Sequence, residues 1–145
     1  MCYLLYISTT SLEDISRLPS KLYHFRPLTK ADEPAIVRLL DHPQRWFLEC
    51  QYGGCSCHFR HLCAGNERDF SPPADWFPEE ADDIEATKAV YDVLARLFAS
   101  GYKVDLLDLW EDTKPDAITT LDISLSTVDR AAFRFFESYK FNLSV

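Results

Sequence analysis

The segment from Glu79 to Ser100 predicts one long amphipathic helix, and this helix constrains the fold more than any other part of the chain. Acidic side chains crowd its first turns, where the helix dipole favours negative charge, and Gly101 stands where a terminating glycine belongs. One apolar stripe recurs at helical spacing: Ile84, Thr87, Tyr91, Leu94 and Phe98, flanked by Val90 and Leu97. Such a stripe is typical of a helix that packs on a core, so the rest of the chain must supply the opposing surface.

Strand patterns on both sides of the helix supply that surface. They are the segment from Cys2 to Ser8 and the later "KVDLLDLW", "TLDISLS" and "YKFNLSV". The segment "YHFRPL" is extended and connects two predicted helices. "KVDLLDLW" is apolar on both faces apart from Asp105 and Asp108, which predicts a central strand. "TLDISLS" alternates apolar and polar residues, which predicts a strand with one buried face.

Three shorter helices are predicted from capping signals. Thr10 and Glu13 form a capping box for a helix ending before Pro19, and Asp32 can cap a helix with Pro34 in its first turn. Ser126 and Asp129 can cap a last helix from Val128 to Glu137. The element order predicts an α+β fold with a single mixed or antiparallel sheet of five to six strands and about four helices packed on it, mainly on one face. We expect residues 1–145 to form a single domain.

Composition excludes several classes of protein. The formal net charge is −8, from 15 basic and 23 acidic residues, with no basic cluster to attract nucleic acid or an anionic membrane. Hydrophobic residues make up 47% of the chain, which excludes intrinsic disorder, and no apolar run is long enough to cross a bilayer. The five cysteines are unevenly spaced, which favours the reducing cytoplasm over a secreted disulfide scaffold. Oligomeric state has no signal in the sequence.

Four of these cysteines lie in "CQYGGCSCHFRHLC", which predicts a β-hairpin from Arg45 to Cys63 turning at Gly53-Gly54. Side-chain alternation along the two strands sends every cysteine of the segment to one apolar face. Free cysteine is often buried as a small hydrophobe, so ordinary core packing explains these thiols without any chemistry.

Two chemical alternatives remain for the same thiols. Cys50, Cys55 and Cys57 converge beside the predicted turn and could hold zinc, with a fourth ligand from elsewhere, although their spacing matches no common zinc module. A redox or nucleophilic use of Cys55 or Cys57 needs a nearby cation, and the hairpin sends the basic side chains to the opposite face. Cys2 as an N-terminal nucleophile would need an oxyanion-hole partner, for which no motif is present.

Two further groups of residues are candidates. Asp105, Asp108, Glu111 and Asp112 cluster around one strand end and could bind a divalent cation or act as acid and base; a solvated strand end explains them equally well. The proline-rich loop "FSPPADWFPEE" carries three large aromatics that could anchor a partner protein or fold back on the core: Phe70, Trp76 and Phe77. With no complete catalytic constellation, we expect a non-catalytic interaction or accessory module; the alternatives are a zinc-binding domain or a thiol-based redox protein.

Overall fold

The computed structural model describes residues 1–31, 33–62, 69–76 and 78–145. Its fold is α+β, as predicted, and is built on a six-stranded mixed sheet. The described residues form eight strands, and six of them make up this sheet. In chain order the strands are β1 (Tyr3–Thr9), β2 (Tyr23–Pro27), β3 (Gln44–Cys50), β4 (His61–Leu62), β5 (Val104–Trp110), β6 (Thr119–Ser124), β7 (Phe135–Phe136) and β8 (Tyr139–Ser144). The one long helix in the described ranges is α1 (Ala81–Ala99), and four 3₁₀ turns cover Ile15–Arg17, Ala35–Leu39, Pro115–Ala117 and Leu125–Thr127.

The strand order of the large sheet is β2-β3-β1-β5-β8-β6. All neighbours are antiparallel except β6 and β8, which are parallel. The short strands β4 and β7 pair in parallel as a second sheet. β5 therefore lies inside the sheet, as its apolar pattern predicts.

Helix α1 packs on one face of the large sheet and forms the main core. Val90, Leu94 and Leu97 are at most 1% exposed and share a cluster with Leu5 and Ile7 of β1. The predicted stripe is confirmed, although its centre lies at these three residues. The helix ends as expected at Gly101, whose φ of 84° lies in the left-handed region.

The opposite face of the sheet carries a smaller core. Tyr6, Phe47 and Leu107 are covered there by Val37 and Leu40, from the segment around the second 3₁₀ turn. The helix predicted after Asp32 is this short turn, and Asp32 itself lies outside the described residues. In those residues no helix has both the length and the apolar composition needed to span a bilayer.

The predicted hairpin from Arg45 to Cys63 is wrong in its second strand. β3 forms as expected, but both of its edges are occupied, by β1 on one side and by β2 on the other. No edge is left for a returning strand, so residues 51–60 leave the sheet as a loop. Of the described residues that follow this loop up to position 62, His61 and Leu62 are extended, and they pair with β7.

The predicted helix from Val128 to Glu137 is also wrong. A tight turn forms at Asp129, whose carbonyl accepts hydrogen bonds from the N–H groups of Ala132 and Phe133, and β7 follows it. The buried guanidinium of Arg60 donates to the carbonyls of Ala131 and Phe133 at 3.1 Å each. Inside a helix, those carbonyls would accept hydrogen bonds from N–H groups four residues later. The contacts of Arg60 and the predicted helix therefore exclude each other. The capping box at Thr10 is replaced by a 3₁₀ turn capped by Asp14.

Candidate metal centre

Four cysteine side chains meet at one end of the large sheet, where β1 begins and β3 ends. Cys2 precedes β1, Cys50 ends β3, and Cys55 and Cys57 lie in the loop that follows. The Sγ atoms of Cys2, Cys55 and Cys57 all lie within 4.8 Å of one another. The Sγ atom of Cys50 lies 3.8 Å from that of Cys55. Cys50 is buried, the other three are partly exposed, and all four are free thiols.

A tight loop after β3 brings two of these thiols back to the strand end. The N–H of Cys50 donates to the carbonyl of Cys55 at 2.7 Å, and the N–H of Gly53 donates to the carbonyl of Cys50 at 2.9 Å. Gly53 and Gly54 have φ values of 74° and 75°, which glycine adopts without the steric cost of a side chain. The glycine pair thus reverses the chain as predicted, although a loop rather than a strand follows it.

Ser56, which separates the two loop cysteines, holds the loop against the sheet. Its N–H donates to the carbonyl of Tyr3 at 2.8 Å, and its hydroxyl donates to the carbonyl of Leu48 at 2.5 Å. The N–H of Leu5 donates to the same hydroxyl oxygen at 2.8 Å. Because these partners belong to β1 and β3, the sheet itself sets the positions of the thiols on either side of Ser56.

The separations between the sulfur atoms suit a tetrahedral metal site. A zinc–sulfur bond of about 2.3 Å places the sulfurs of a tetrahedron about 3.8 Å apart. The Cys50–Cys55 distance has that value, and the separations among Cys2, Cys55 and Cys57 need to contract by at most about 1 Å. Thiolates are soft ligands of the kind that zinc, copper(I) and iron–sulfur clusters use.

The chemistry of Cys55 is not that of an activated nucleophile. The pKa of the Cys55 thiol is raised to about 12, mainly by burial and in smaller part by the neighbouring Cys57 and Cys50 side chains. Thiol nucleophiles instead depend on a lowered pKa. A bound cation would supply what is missing here, since a coordinating thiol is deprotonated by the metal.

A buried histidine lies behind the loop but is engaged elsewhere. The Nε2 atom of His61 lies 2.6 Å from the carbonyl oxygen of Ser56, and Nδ1 lies 2.9 Å from Oδ2 of Asp108. The ring of Tyr3 stacks on the imidazole at 3.8 Å. A carbonyl oxygen only accepts, so Nε2 carries a proton and donates it to Ser56. With both nitrogens bonded, His61 supports the loop and leaves no nitrogen for a thiol or a metal.

The support that His61 gives to the loop depends on pH, because Asp108 contacts His61 and is titratable. The carboxyl group is fully buried, and burial raises its pKa above the usual value although the nearby His61 acts to lower it. A carboxyl group whose pKa is higher in the folded state than in the unfolded state stabilises the native state. This stabilisation is fully present at a pH below the unfolded-state pKa. That stabilisation is lost as pH rises through the folded-state pKa.

We therefore expect the free energy of unfolding of wild type to fall relative to that of Asp108→Asn as pH rises from about 3 to about 8. Urea unfolding with a chelator present measures this without a contribution from metal release. Asp14→Asn is the control of opposite sign: the hydrogen bond from the Ser16 hydroxyl lowers the pKa of Asp14, so wild type should gain on this variant as pH rises. A difference between wild type and Asp108→Asn that does not change with pH would contradict the assignment.

The four predicted acidic residues do not form one site. Asp105 and Asp108 are both buried but lie on opposite faces of β5, because their separation is odd. Asp105 accepts from the Ser8 hydroxyl and lies 3.5 Å from the ammonium of Lys140. The side chains of Glu111 and Asp112, in contrast, are exposed. Asp105 thus contacts Ser8 and Lys140, and not the other three residues of the predicted acidic cluster.

The aromatic residues of the predicted binding loop do not form one surface either. Phe70 packs inside the protein, with its ring 4.8 Å from that of Phe136 and 5.8 Å from that of Phe133. Trp76 is 86% exposed and does not fold back on the core. Phe77 lies outside the described residues, as does Cys63 of the thiol-rich segment.

Cys2 is the residue of this site that sequence reasoning misses. Its one signal is its position as the first residue of a predicted strand. The pairing of β1 with β3, which brings it to the other thiols, is not readable from the pattern. Comparison of the chain with known protein families, curated proteins and solved structures gives no match.

Proposed function

We propose that this protein is a zinc-binding domain in which the thiolates of Cys2, Cys55 and Cys57 hold the ion. The observation that carries the proposal is the convergence of three thiols, within 4.8 Å of one another, from two separate parts of the chain. A packed core can bury cysteines singly, and it has no need to gather them around one point. Three partly exposed thiols that share one point instead provide soft ligands at a spacing close to that of a zinc site.

The surrounding structure supports the same proposal. Ser56 fixes the two loop thiols through hydrogen bonds to β1 and β3. On the other side, the carbonyl of Cys2 accepts a hydrogen bond of 3.0 Å from the N–H of Glu111, which follows β5. Metal ligands held in this way need little rearrangement to bind, and preorganisation favours affinity. The ion would join the start of β1 to the loop after β3.

Elemental analysis of protein purified without chelator tests this proposal. We expect one zinc per chain, removal by a strong chelator, and recovery of one equivalent on adding zinc back. Cys57→Ser should weaken zinc binding by more than about 100-fold, since even residues that only support a ligand contribute 10–100-fold. Ser126→Ala, which changes a serine far from the thiols in sequence, serves as the control. Protein that is free of zinc and takes up none from a micromolar solution would refute the proposal.

A second candidate function, binding of another protein, is favoured by the exposure of Trp76. An 86% exposed tryptophan between prolines is a rigid apolar anchor of the kind that concentrates binding energy at interfaces. Leu12, at 84%, is equally exposed and provides a matched control. We expect Trp76→Ala to lose at least tenfold in affinity for a partner that wild type and Leu12→Ala bind alike. Equal binding by all three proteins would exclude Trp76 as the anchor.

A further inference from the structure

The fourth ligand determines what a metal at this site can do. Zinc in proteins is normally four-coordinate, and a water in the fourth position makes a site catalytic, whereas a fourth protein ligand makes it structural. A cleft of about 320 Å³ borders Cys57 and is lined by polar residues that include Arg60, Glu79 and Asp83. A substrate in that cleft would be close to the ion, so three thiolates alone leave the choice open.

Cys50 is the described residue placed to fill the fourth position. Its Sγ atom lies 3.8 Å from that of Cys55, which is the sulfur–sulfur separation of a tetrahedral zinc site, about 3.8 Å. The backbone supports the contact, because the N–H of Cys50 donates to the carbonyl of Cys55 at 2.7 Å. Cys50 is 2% exposed, so a ligand from this position would approach the ion from the protein interior.

The other potential ligands of the described chain are used elsewhere. His61 has both nitrogens bonded, to Ser56 and to Asp108. The Nδ1 atom of His58 lies 3.3 Å from a carboxylate oxygen of Asp83. Within the described ranges, no histidine nitrogen or carboxylate oxygen belongs to the group of atoms within 4.8 Å of the three thiols. Cys50 does not belong to that group either, but its Sγ atom lies 3.8 Å from that of Cys55, which makes it the candidate for the fourth position.

The side chain of Cys50 has to move before it can complete the coordination. It does not belong to the group of mutually close thiols, so its Sγ atom has to approach Cys2 and Cys57. A change between staggered χ1 rotamers moves a cysteine sulfur by about 3 Å without any change in the backbone. Because Cys50 ends a strand that is paired on both sides, its backbone stays fixed while the side chain turns.

We propose that Cys50 is the fourth ligand and completes a closed site of four thiolates, an inference that rests on the proposed zinc binding. On binding Zn²⁺, each of the four thiols transfers its proton to the solvent, so the site gains two positive charges, loses four protons and carries a net charge of −2. No coordination position is left for water or substrate. The ion is then structural, and the cleft beside Cys57 takes no part in metal chemistry.

Cobalt(II) as a replacement for zinc tests the inference, because its absorption spectrum reports the number of thiolates. We expect wild type to show sulfur-to-cobalt charge-transfer bands of a four-thiolate complex. Cys50→Ser should retain about three quarters of that intensity, like Cys57→Ser, which removes a thiolate already assigned to the site. A Cys50→Ser spectrum identical to that of wild type would overturn the assignment. Wild type that binds no cobalt and no zinc would instead overturn the proposed function itself.

X-ray absorption of the wild-type zinc protein gives the same answer without a variant that has to fold. Four sulfurs at about 2.3 Å are the expected result, and three sulfurs with one oxygen or nitrogen at about 2.0 Å would overturn the inference. Proton release provides a third measurement in weakly buffered solution below the pKa of free thiols. Zinc should release close to four protons from wild type and about three from Cys50→Ser.

Discussion

Removal of the proposed zinc ion by a chelator is expected to lower the free energy of unfolding by about 4 kcal/mol or more. A ligand present at a thousand times its dissociation constant stabilises the folded state by about 4 kcal/mol, and structural zinc sites commonly bind more tightly. For a chain of this size, each kcal/mol corresponds to about 2–4 °C in melting temperature, so a loss of at least about 8 °C is expected. Thermal unfolding with and without chelator measures the change.

The loss should be local in its origin. Without the proposed ion, the thiols no longer join the start of β1 to the loop after β3, and only the hydrogen bonds of the loop, such as those of Ser56 and Cys50, hold this region. Hydrogen exchange should therefore increase at the amides of Leu5 and Ser56 by more than the increase that the lower global stability causes at Phe141 in β8, two strands from β1 in the sheet order. A melting temperature that is the same with and without chelator would show that no metal stabilises this fold.

Replacement of Arg60 by methionine is the second change expected to have a large effect, about 3–5 kcal/mol of destabilisation. Arg60 is 2% exposed, and all five of its N–H groups are bonded. Two of them bind the carboxylate of Glu79, at 2.7 Å and 3.0 Å, and the others bind the carbonyls of Ser71, Ala131 and Phe133. The variant removes both contacts from the carboxylate of Glu79, which is 15% exposed, and removes this donor from the carbonyls of Ala131 and Phe133. Arg134 still contacts Glu79 and the Ser71 carbonyl.

Arg130 provides a matched control for this prediction. It makes the same two-point contact with a carboxylate, that of Asp92, at 2.7 Å and 2.8 Å. Both side chains of that pair are about half exposed, at 46% and 55%, so Arg130→Met should cost no more than about 1 kcal/mol. Urea unfolding of both variants separates burial from the geometry of the pair. Equal losses in the two variants would contradict the role assigned to Arg60.

The contrast between these two arginines shows that burial of a charged side chain could not be predicted from the sequence. Nothing in the local pattern distinguishes Arg60 from Arg130, because burial of a charged side chain depends on partners that are distant in sequence. Glu79 precedes α1, and Ala131 and Phe133 follow β6, so the carbonyls and the carboxylate meet at Arg60 only in the folded protein. The same contacts explain why the predicted last helix does not form.

For Asp105 and Asp108, the sequence already indicated on which faces of the strand the two side chains lie relative to each other. Residues three apart on a strand lie on opposite faces, so these two carboxylates cannot share one site once "KVDLLDLW" is taken as a strand. Their partners could not be predicted, since Ser8 and Lys140, which contact Asp105, come from β1 and β8, and His61, which contacts Asp108, comes from β4. Strand order is decided by long-range packing, and the local pattern carries little information about it.

By itself, the sequence determined the α+β class, the long helix that ends at Gly101, most of the strands of the large sheet and the chain reversal at Gly53-Gly54. These features follow from hydrophobic periodicity and from the backbone freedom of glycine, which act over a few residues. Only the tertiary structure decided that β3 is paired on both sides, which turned the second half of the thiol-rich segment into a loop, and that Cys2 joins Cys55 and Cys57. The physical reason is that strand pairing joins residues far apart in the chain, and the gathering of the thiols is a consequence of that pairing.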